Sequence, residues 1–259
     1  MSSNVVDILG GSGRIACKLP SYELRPQQLE MARAVARAFE EGEHLIVEAG
    51  TGVGKSFAYL VPAIAHVIRS GGRVVISTHT IALQEQLIHK DIPFLRSVFP
   101  ERFSAVLVKG RANYLGLRRL ARASARQDLL FASNNEVTEL HRIEDWAYST
   151  RDGSLSDLPQ QPGATVWDRA RSDGDDCLGR RCPQFQKCFY QRARQRAAEA
   201  QVLVVNHALL FADLSLRGQG ASILPDFDYL VLDEAHTVEG VAGDHLGIGV
   251  SNAQVRYLL

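Results

Sequence analysis

No stretch of this chain approaches the roughly 20 consecutive apolar residues that a membrane-spanning helix needs, so no membrane partner is expected. Met1 to Gly13 is polar and contains Gly and Ser. It lacks the basic start and apolar core of a signal peptide, which makes the cytoplasm the expected compartment. Net charge is missing too: 29 Lys and Arg offset 29 Asp and Glu, which excludes a globally basic protein. There is no internal repeat and no low-complexity tract. Cysteine is scarce; of the four present, Cys17 stands alone while Cys177, Cys182 and Cys188 fall within twelve residues. In a reducing compartment such a cluster points to metal rather than to disulfides.

What is present is an ordinary globular composition, 46% hydrophobic and 22% charged, in 259 residues. That length suits one large domain, or a core domain carrying an insertion. The charge is unevenly placed. Arg111, Arg118, Arg119, Arg122 and Arg126 lie in a stretch without an acid, and eight Arg or Lys residues fall between Arg169 and Arg196 beside the acids Asp173, Asp175 and Asp176. Local basic faces of this kind can take a phosphate backbone whatever the net charge.

Five short apolar runs read as strands: His44–Glu48, Arg73–Ser77, Ala105–Val108, Val202–Asn206 and Tyr229–Asp233. They are nearly continuous rather than alternating, as parallel strands covered on both faces are. Helical periodicity fills Arg25–Glu41, Lys55–Arg69 and Ile81–His89 between them, which implies a doubly wound α/β sheet. From about Arg111 to Ala200 the rhythm changes to helical patterns with no convincing strand, and this reads as a helical insertion.

The run HLIVE leads into Ala49, Gly50, Thr51, Gly52, Val53, Gly54, Lys55 and Ser56, and then into a helix. This is the spacing of a Walker A loop. Its glycines let backbone N–H groups face a phosphate, Lys55 reaches the β- and γ-phosphates, and Ser56 can ligate Mg²⁺. The helix N-terminus adds its dipole. At the end of YLVLD stand Asp233, Glu234, Ala235 and His236. An acid pair delivered by a strand's C-terminal end is suited to hold Mg²⁺ through Asp233 and to polarise water through Glu234, with His236 coupling the site to a second motor domain.

Together these motifs resemble superfamily 2 helicases, and within them the DinG/XPD-like iron–sulfur group, over Tyr22 to Gly240. Arg25-Pro26-Gln27-Gln28 resembles the Q-type motif, in which Gln28 recognises adenine and Arg25 belongs to the ATP site. Ser77-Thr78-His79-Thr80 and Leu83-Gln84-Glu85-Gln86-Leu87 resemble motif Ia, which implies that Thr78, His79 and Gln84 grip single-stranded DNA. Lys109 to Leu115 resembles the segment that introduces the cluster domain, with Arg111 as a nucleic-acid contact and Tyr114 as a possible base-stacking platform. Asn206-His207-Ala208-Leu209-Leu210 resembles the return to the sheet.

The resemblance implies a RecA-like P-loop NTPase domain with a parallel sheet, carrying a mostly helical iron–sulfur-type insertion. The expected organisation is a tail at 1–21, motor domain at 22–110 and 201–250, insertion at 111–200, and the start of a further, truncated element at 251–259. The implied function is ATP hydrolysis coupled to translocation on single-stranded or forked DNA, 5′ to 3′, by a monomer whose second motor domain is absent here. A nucleotide-binding module without motor action, an RNA helicase and a small-molecule P-loop kinase are the competing readings. Cys177, Cys182 and Cys188 fit three ligands of the group's 4Fe-4S cluster, but Gly116 occupies the position expected for the first cysteine. A non-cysteine fourth ligand, a three-iron cluster, a lost cluster and a Cys₃His zinc site all stay open.

Overall fold

The structure is a computed structural model and describes residues 2–19 and 21–247. The element expected at 251–259 lies outside them. The chain forms two compact units, Met1–Leu107 with Glu199–Leu259, and Val108–Ala198.

The first unit is α/β. Its sheet has the order β2-β3-β1-β4, with β1 Val74–Thr78, β2 Ala105–Leu107, β3 Val202–Asn206 and β4 Tyr229–Leu232 all parallel. Register is fixed by pairs such as Ile76 with Val204 and with Val231. β1 is buried throughout and β3 nearly so, which is why both read as unbroken apolar runs. Each fully buried aliphatic side chain here contributes about 1.5–3 kcal/mol.

Helices α1 (Ser2–Leu9), α2 (Arg14–Lys18), α3 (Pro26–Glu41) and α4 (Lys55–Ser70) pack into the same core. α3 starts on Pro26, whose fixed φ suits a first helical turn, and stops at Gly42 with φ +69°. α4 buries Ala58 to Val67 almost continuously. After β1 come α5 (Ile81–Gln86), a π-helical turn at Leu87–Asp91, and α6 (Ile92–Val98). α12 (His207–Arg217) and α13 (Val238–Leu246) follow β3 and β4.

One expected strand is absent. His44–Glu48 pairs with no strand, and Ile46 is 99% exposed. β-prone residues make a strand only where a neighbouring backbone meets their N–H and C=O groups. Among the described residues none does. β4 likewise exposes Leu230 and Leu232.

The second unit is mostly helical, with α7 (Leu117–Ser124), α8 (Gln127–Leu130), α9 (Asn134–Ser149), α10 (Ala164–Ala170) and α11 (Phe189–Glu199). α9 opens on a capping box between Ser133 and Glu136, which satisfies end N–H groups reciprocally. A separate core gathers Tyr114, Leu115, Leu140, Ile143, Trp146, Val166 and Phe189. Two single-turn 3₁₀ segments, Gly179–Arg181 and Phe185–Lys187, end on Cys182 and Cys188.

Candidate functional site

The loop Ala49–Ser56 turns through Gly52 at φ +83° and Gly54 at φ +86°, left-handed values that strain any residue with a Cβ. At Gly54 the need is also steric, since a Cβ would stand 2.1 Å from the Gln28 amide nitrogen. That nitrogen donates to Gly54 O at 2.9 Å, Tyr22 Oη lies 3.3 Å from Gln28 Oε1, and Arg25 donates to Gly52 O. Gln28, expected to read adenine, is thus buried and fastened to the loop. Its side chain ties α3 to the loop at Gly54.

Across the loop lies the acid pair. Lys55 Nζ is 3.3 Å from Glu234 Oε1. Tyr59 Oη donates to Asp233 Oδ2 at 3.2 Å, Thr78 Oγ1 is 3.5 Å from the same oxygen, and Ser56 also bonds the Tyr59 hydroxyl. Ser56 and Asp233, the expected Mg²⁺ ligands, therefore converge on one phenol, and their oxygens suit a hard cation. Burial raises the Asp233 carboxyl above its ordinary range and Glu234 raises it further, while the Tyr59 bond and Lys55 oppose this. Glu234 holds φ +54°, unusual for a non-glycine residue, with its carbonyl accepting from Thr237 N at 3.0 Å and Thr237 Oγ1 at 2.9 Å. His236 is 74% exposed, its Nδ1 3.6 Å from Glu234 Oε2.

Tyr59 and His207 escaped the sequence reading as site residues. Tyr59 looks like core in an apolar helix. His207 is buried, its Nε2 3.0 Å from the Asp233 carbonyl and its Nδ1 2.7 Å from Ser77 Oγ. A carbonyl only accepts, so Nε2 carries the proton and Nδ1 accepts from Ser77. Burial keeps the ring's pKa below its usual value, consistent with this neutral form.

The DEAD/DEAH box helicase family matches residues 25–149. This chain is 37% identical over 254 residues to the ATP-dependent DNA helicase YoaA of Escherichia coli (strain K12), covering 97% of this chain and 39% of that one. It is 42% identical over 228 residues to the ATP-dependent helicase DinG of Mycobacterium tuberculosis (strain ATCC 25618 / H37Rv), covering 82% and 34%. It is 34% identical over 230 residues to the 3′-5′ exonuclease DinG of Bacillus subtilis (strain 168), covering 88% and 24%. The chain thus spans about two fifths or less of the length of these relatives. The expected kinship with the DinG helicases holds. No helix among the described residues is long and apolar enough to cross a membrane.

Several side chains expected to contact nucleic acid are buried or paired in the structure. Thr78 and Gln84 are buried, so neither offers a side chain to a strand on the surface, whereas His79 is exposed. Tyr114 is 2% exposed in the second unit's core, near Tyr190, and burial raises its hydroxyl to about 12. It is a core residue and no open stacking platform. Arg111 lies 4.1 Å over the Tyr190 ring and hydrogen-bonds Cys177. Arg118, Arg119 and Arg122 converge on Asp176 at 3.5, 2.8 and 3.2 Å, so this part of the basic run is largely spent internally.

Cys177, Cys182, Cys188 and Gly116 line one cavity of about 50 Å³ in the second unit. A water needs at least about 10–15 Å³ by this measure, so the void exceeds a single water. Among the described residues no three Cys, His, Asp or Glu side chains lie close enough to hold one metal ion. No fourth thiol lines this cavity. The Cys177 thiol is held below its ordinary range by the Gly179 backbone N–H, then by Arg111. Cys17 lies on α2 of the first unit.

Proposed function

We propose that this chain is the ATP-binding half of an ATP-dependent DNA helicase that couples hydrolysis to movement along single-stranded or forked DNA. The observation that carries this reading is the meeting of Lys55 with Glu234 at 3.3 Å while Ser56 and Asp233 share Tyr59. That arrangement pairs a phosphate cradle with a metal site and a carboxylate able to act on water. Bound Mg²⁺ would neutralise charge developing on the phosphates. Gly50 to Gly54 offer N–H groups, Lys55 meets the phosphates once it leaves Glu234, and Glu234, so released, orients the attacking water. His236 reports the nucleotide state to the second motor domain.

Kinship with YoaA and DinG, named as ATP-dependent helicases, supports DNA as the track. Movement 5′ to 3′ follows from resemblance to the DinG/XPD-like group, as do a monomeric state and a cytoplasmic location. Cys177, Cys182 and Cys188 hold an iron–sulfur cluster that braces the helical unit.

The test is ATP hydrolysis by the full-length protein, with and without single-stranded DNA, beside Lys55→Ala. Stimulation by DNA that Lys55→Ala abolishes supports the motor reading. DNA-independent hydrolysis argues for a small-molecule P-loop enzyme, and nucleotide binding without hydrolysis for a binding module.

A further inference from the structure

Glu234 is the one described residue other than glycine with a left-handed backbone, at φ +54° and ψ +45°. A Cβ disfavours that region, so the conformation persists only where neighbours enforce it. The enforcement acts on the peptide that joins Asp233 to Glu234. Its N–H donates to Asp233 Oδ1 at 3.1 Å, and its C=O accepts from His207 Nε2 at 3.0 Å. The first bond is local and moves with Asp233. The second comes from another element.

The sheet brings His207 there. β1 lies between β3 and β4, with Ser77 beside Val205 on one side and Leu232 on the other. β3 ends at Asn206, whose side chain accepts from Leu209 N–H at 2.8 Å and caps α12. His207 is therefore the first residue of that helix, and its ring spans from the end of β1 to the end of β4. At the β1 end Ser77 Oγ, fully buried, donates to Nδ1 at 2.7 Å. A hydrogen bond at one ring nitrogen fixes the proton on the other, so Ser77 keeps Nε2 the donor. The ring is 1% exposed, which shuts out solvent that could replace either partner.

We infer that His207 is a positioning residue, which holds the Asp233–Glu234 peptide in the orientation that gives Glu234 its left-handed backbone and aims its carboxylate at the nucleotide site. This rests on the role of Glu234 in the function proposed above. Without the ring N–H, rotation of the peptide relieves the strain and turns the Glu234 side chain away from Lys55, now at 3.3 Å. The cradle from Gly50 to Gly54 is shaped by its own glycines and by Gln28 of α3, so nucleotide affinity should survive. The rate should not. A misplacement of about 1 Å at a reacting group can cost about 10²-fold.

The experiment measures nucleotide affinity, KM and kcat for the full-length protein with single-stranded DNA present. The variants are His207→Phe, His207→Gln, Ser77→Ala and the pair His207→Phe with Ser77→Ala. His207→Phe keeps a ring of similar size without either nitrogen, and should lower kcat by about 10²-fold with affinity and KM unchanged. His207→Gln places an amide N–H as many bonds from Cα as Nε2, and should restore most of the loss. Ser77→Ala frees the ring to take the other tautomer, so kcat should fall while KM holds. Both residues act through one bond, so the pair should lose no more than His207→Phe alone.

An unchanged kcat in His207→Phe would make the ring a packing residue and overturn the inference. Equal losses in affinity and kcat would overturn it as well, since they mean that the ring supports the fold of the whole site. So would a His207→Gln variant no faster than His207→Phe, or losses that add in the pair. Should His207→Phe fail to fold, Ser77→Ala decides, and an unchanged kcat there overturns the proposal. A parent that binds nucleotide without hydrolysing it would instead remove the proposed function, and this inference with it.

Discussion

Lys55 and Glu234 hold each other at 3.3 Å, yet their side chains are 32% and 30% exposed. An ion pair that wet contributes about 0–1 kcal/mol, so on the proposed function the triphosphate of an incoming nucleotide would displace Glu234 from Lys55 at little cost. Glu234→Gln separates the two duties. Lys55 is freed from a carboxylate, so nucleotide affinity should hold or rise, while hydrolysis should fall by about 10²–10⁴-fold, the usual contribution of a general base. Nucleotide binding read by fluorescence, beside single-turnover hydrolysis, checks this; equal losses in both would mean that Glu234 serves the fold of the loop. Asp233 supplies a pH prediction. Its carboxyl titrates above the ordinary range, and Mg²⁺ needs it ionised, so Mg²⁺ affinity should fall as pH drops through that raised value. The Tyr59 bond stabilises the charged form, so Tyr59→Phe should move the fall to higher pH without altering the limiting affinity at alkaline pH. Mg²⁺ titrations of nucleotide binding across pH decide it, and an unshifted profile would make Tyr59 a packing residue only.

At the scale of elements, the path from β1 to α6 contains the π-helical turn Leu87–Asp91, which ends on a buried acid. Burial raises the Asp91 carboxyl, and neither the Gln86 amide at 3.3 Å nor Lys90 compensates. The folded state thus binds more protons than the unfolded one between the ordinary and the raised pKa, and stability falls as pH rises through that window. Above the raised pKa the cost is fully present. Asp91→Asn keeps an acceptor for Gln86 without the charge, and its loss of favourable charge at the start of α6 is worth only about 0.3–1 kcal/mol. The transition of the first unit should move up for the variant at pH above that raised value, and the gain should vanish at acid pH. Differential scanning calorimetry at both pH values tests it. Neither the π turn nor the burial of Asp91 was legible in the sequence, because Ile81–His89 reads as uninterrupted helix. The four strands that pair were legible, since a covered parallel strand is apolar along its whole length. His44–Glu48 has the same composition and no ladder, because a strand is a property of two segments and composition belongs to one. The Walker loop and acid pair were likewise legible, as their chemistry fixes residue type and spacing. Thr78, Gln84 and Tyr114 were misplaced for the opposite reason: tertiary packing alone decides whether a polar or aromatic side chain faces solvent.

At the scale of the molecule, two cores exist where one chain might have built one. The first gathers Ile8, Ile64, Val74 and Val204, and the second Tyr114, Leu140, Ile143 and Val166, with no residue shared between them. Each unit has its own compact set of contacts, and the second is inserted between Leu107 and Glu199 of the first. Separate cores lose cooperativity with one another, so a single two-state melting transition is not the expectation for this chain. Leu140→Ala provides the discriminating perturbation. It empties a fully buried site in the second core, at about 2–5 kcal/mol for a Leu-to-Ala change. For a unit the size of 108–198 each kcal/mol lowers Tm by about 4–8 °C, so one transition should fall by at least roughly 8 °C. The other transition, reported by nucleotide binding at Lys55, should stay in place. A single transition that shifts as a whole, carrying nucleotide binding with it, would show that the two cores unfold as one and that the helical unit supports the ATP site energetically.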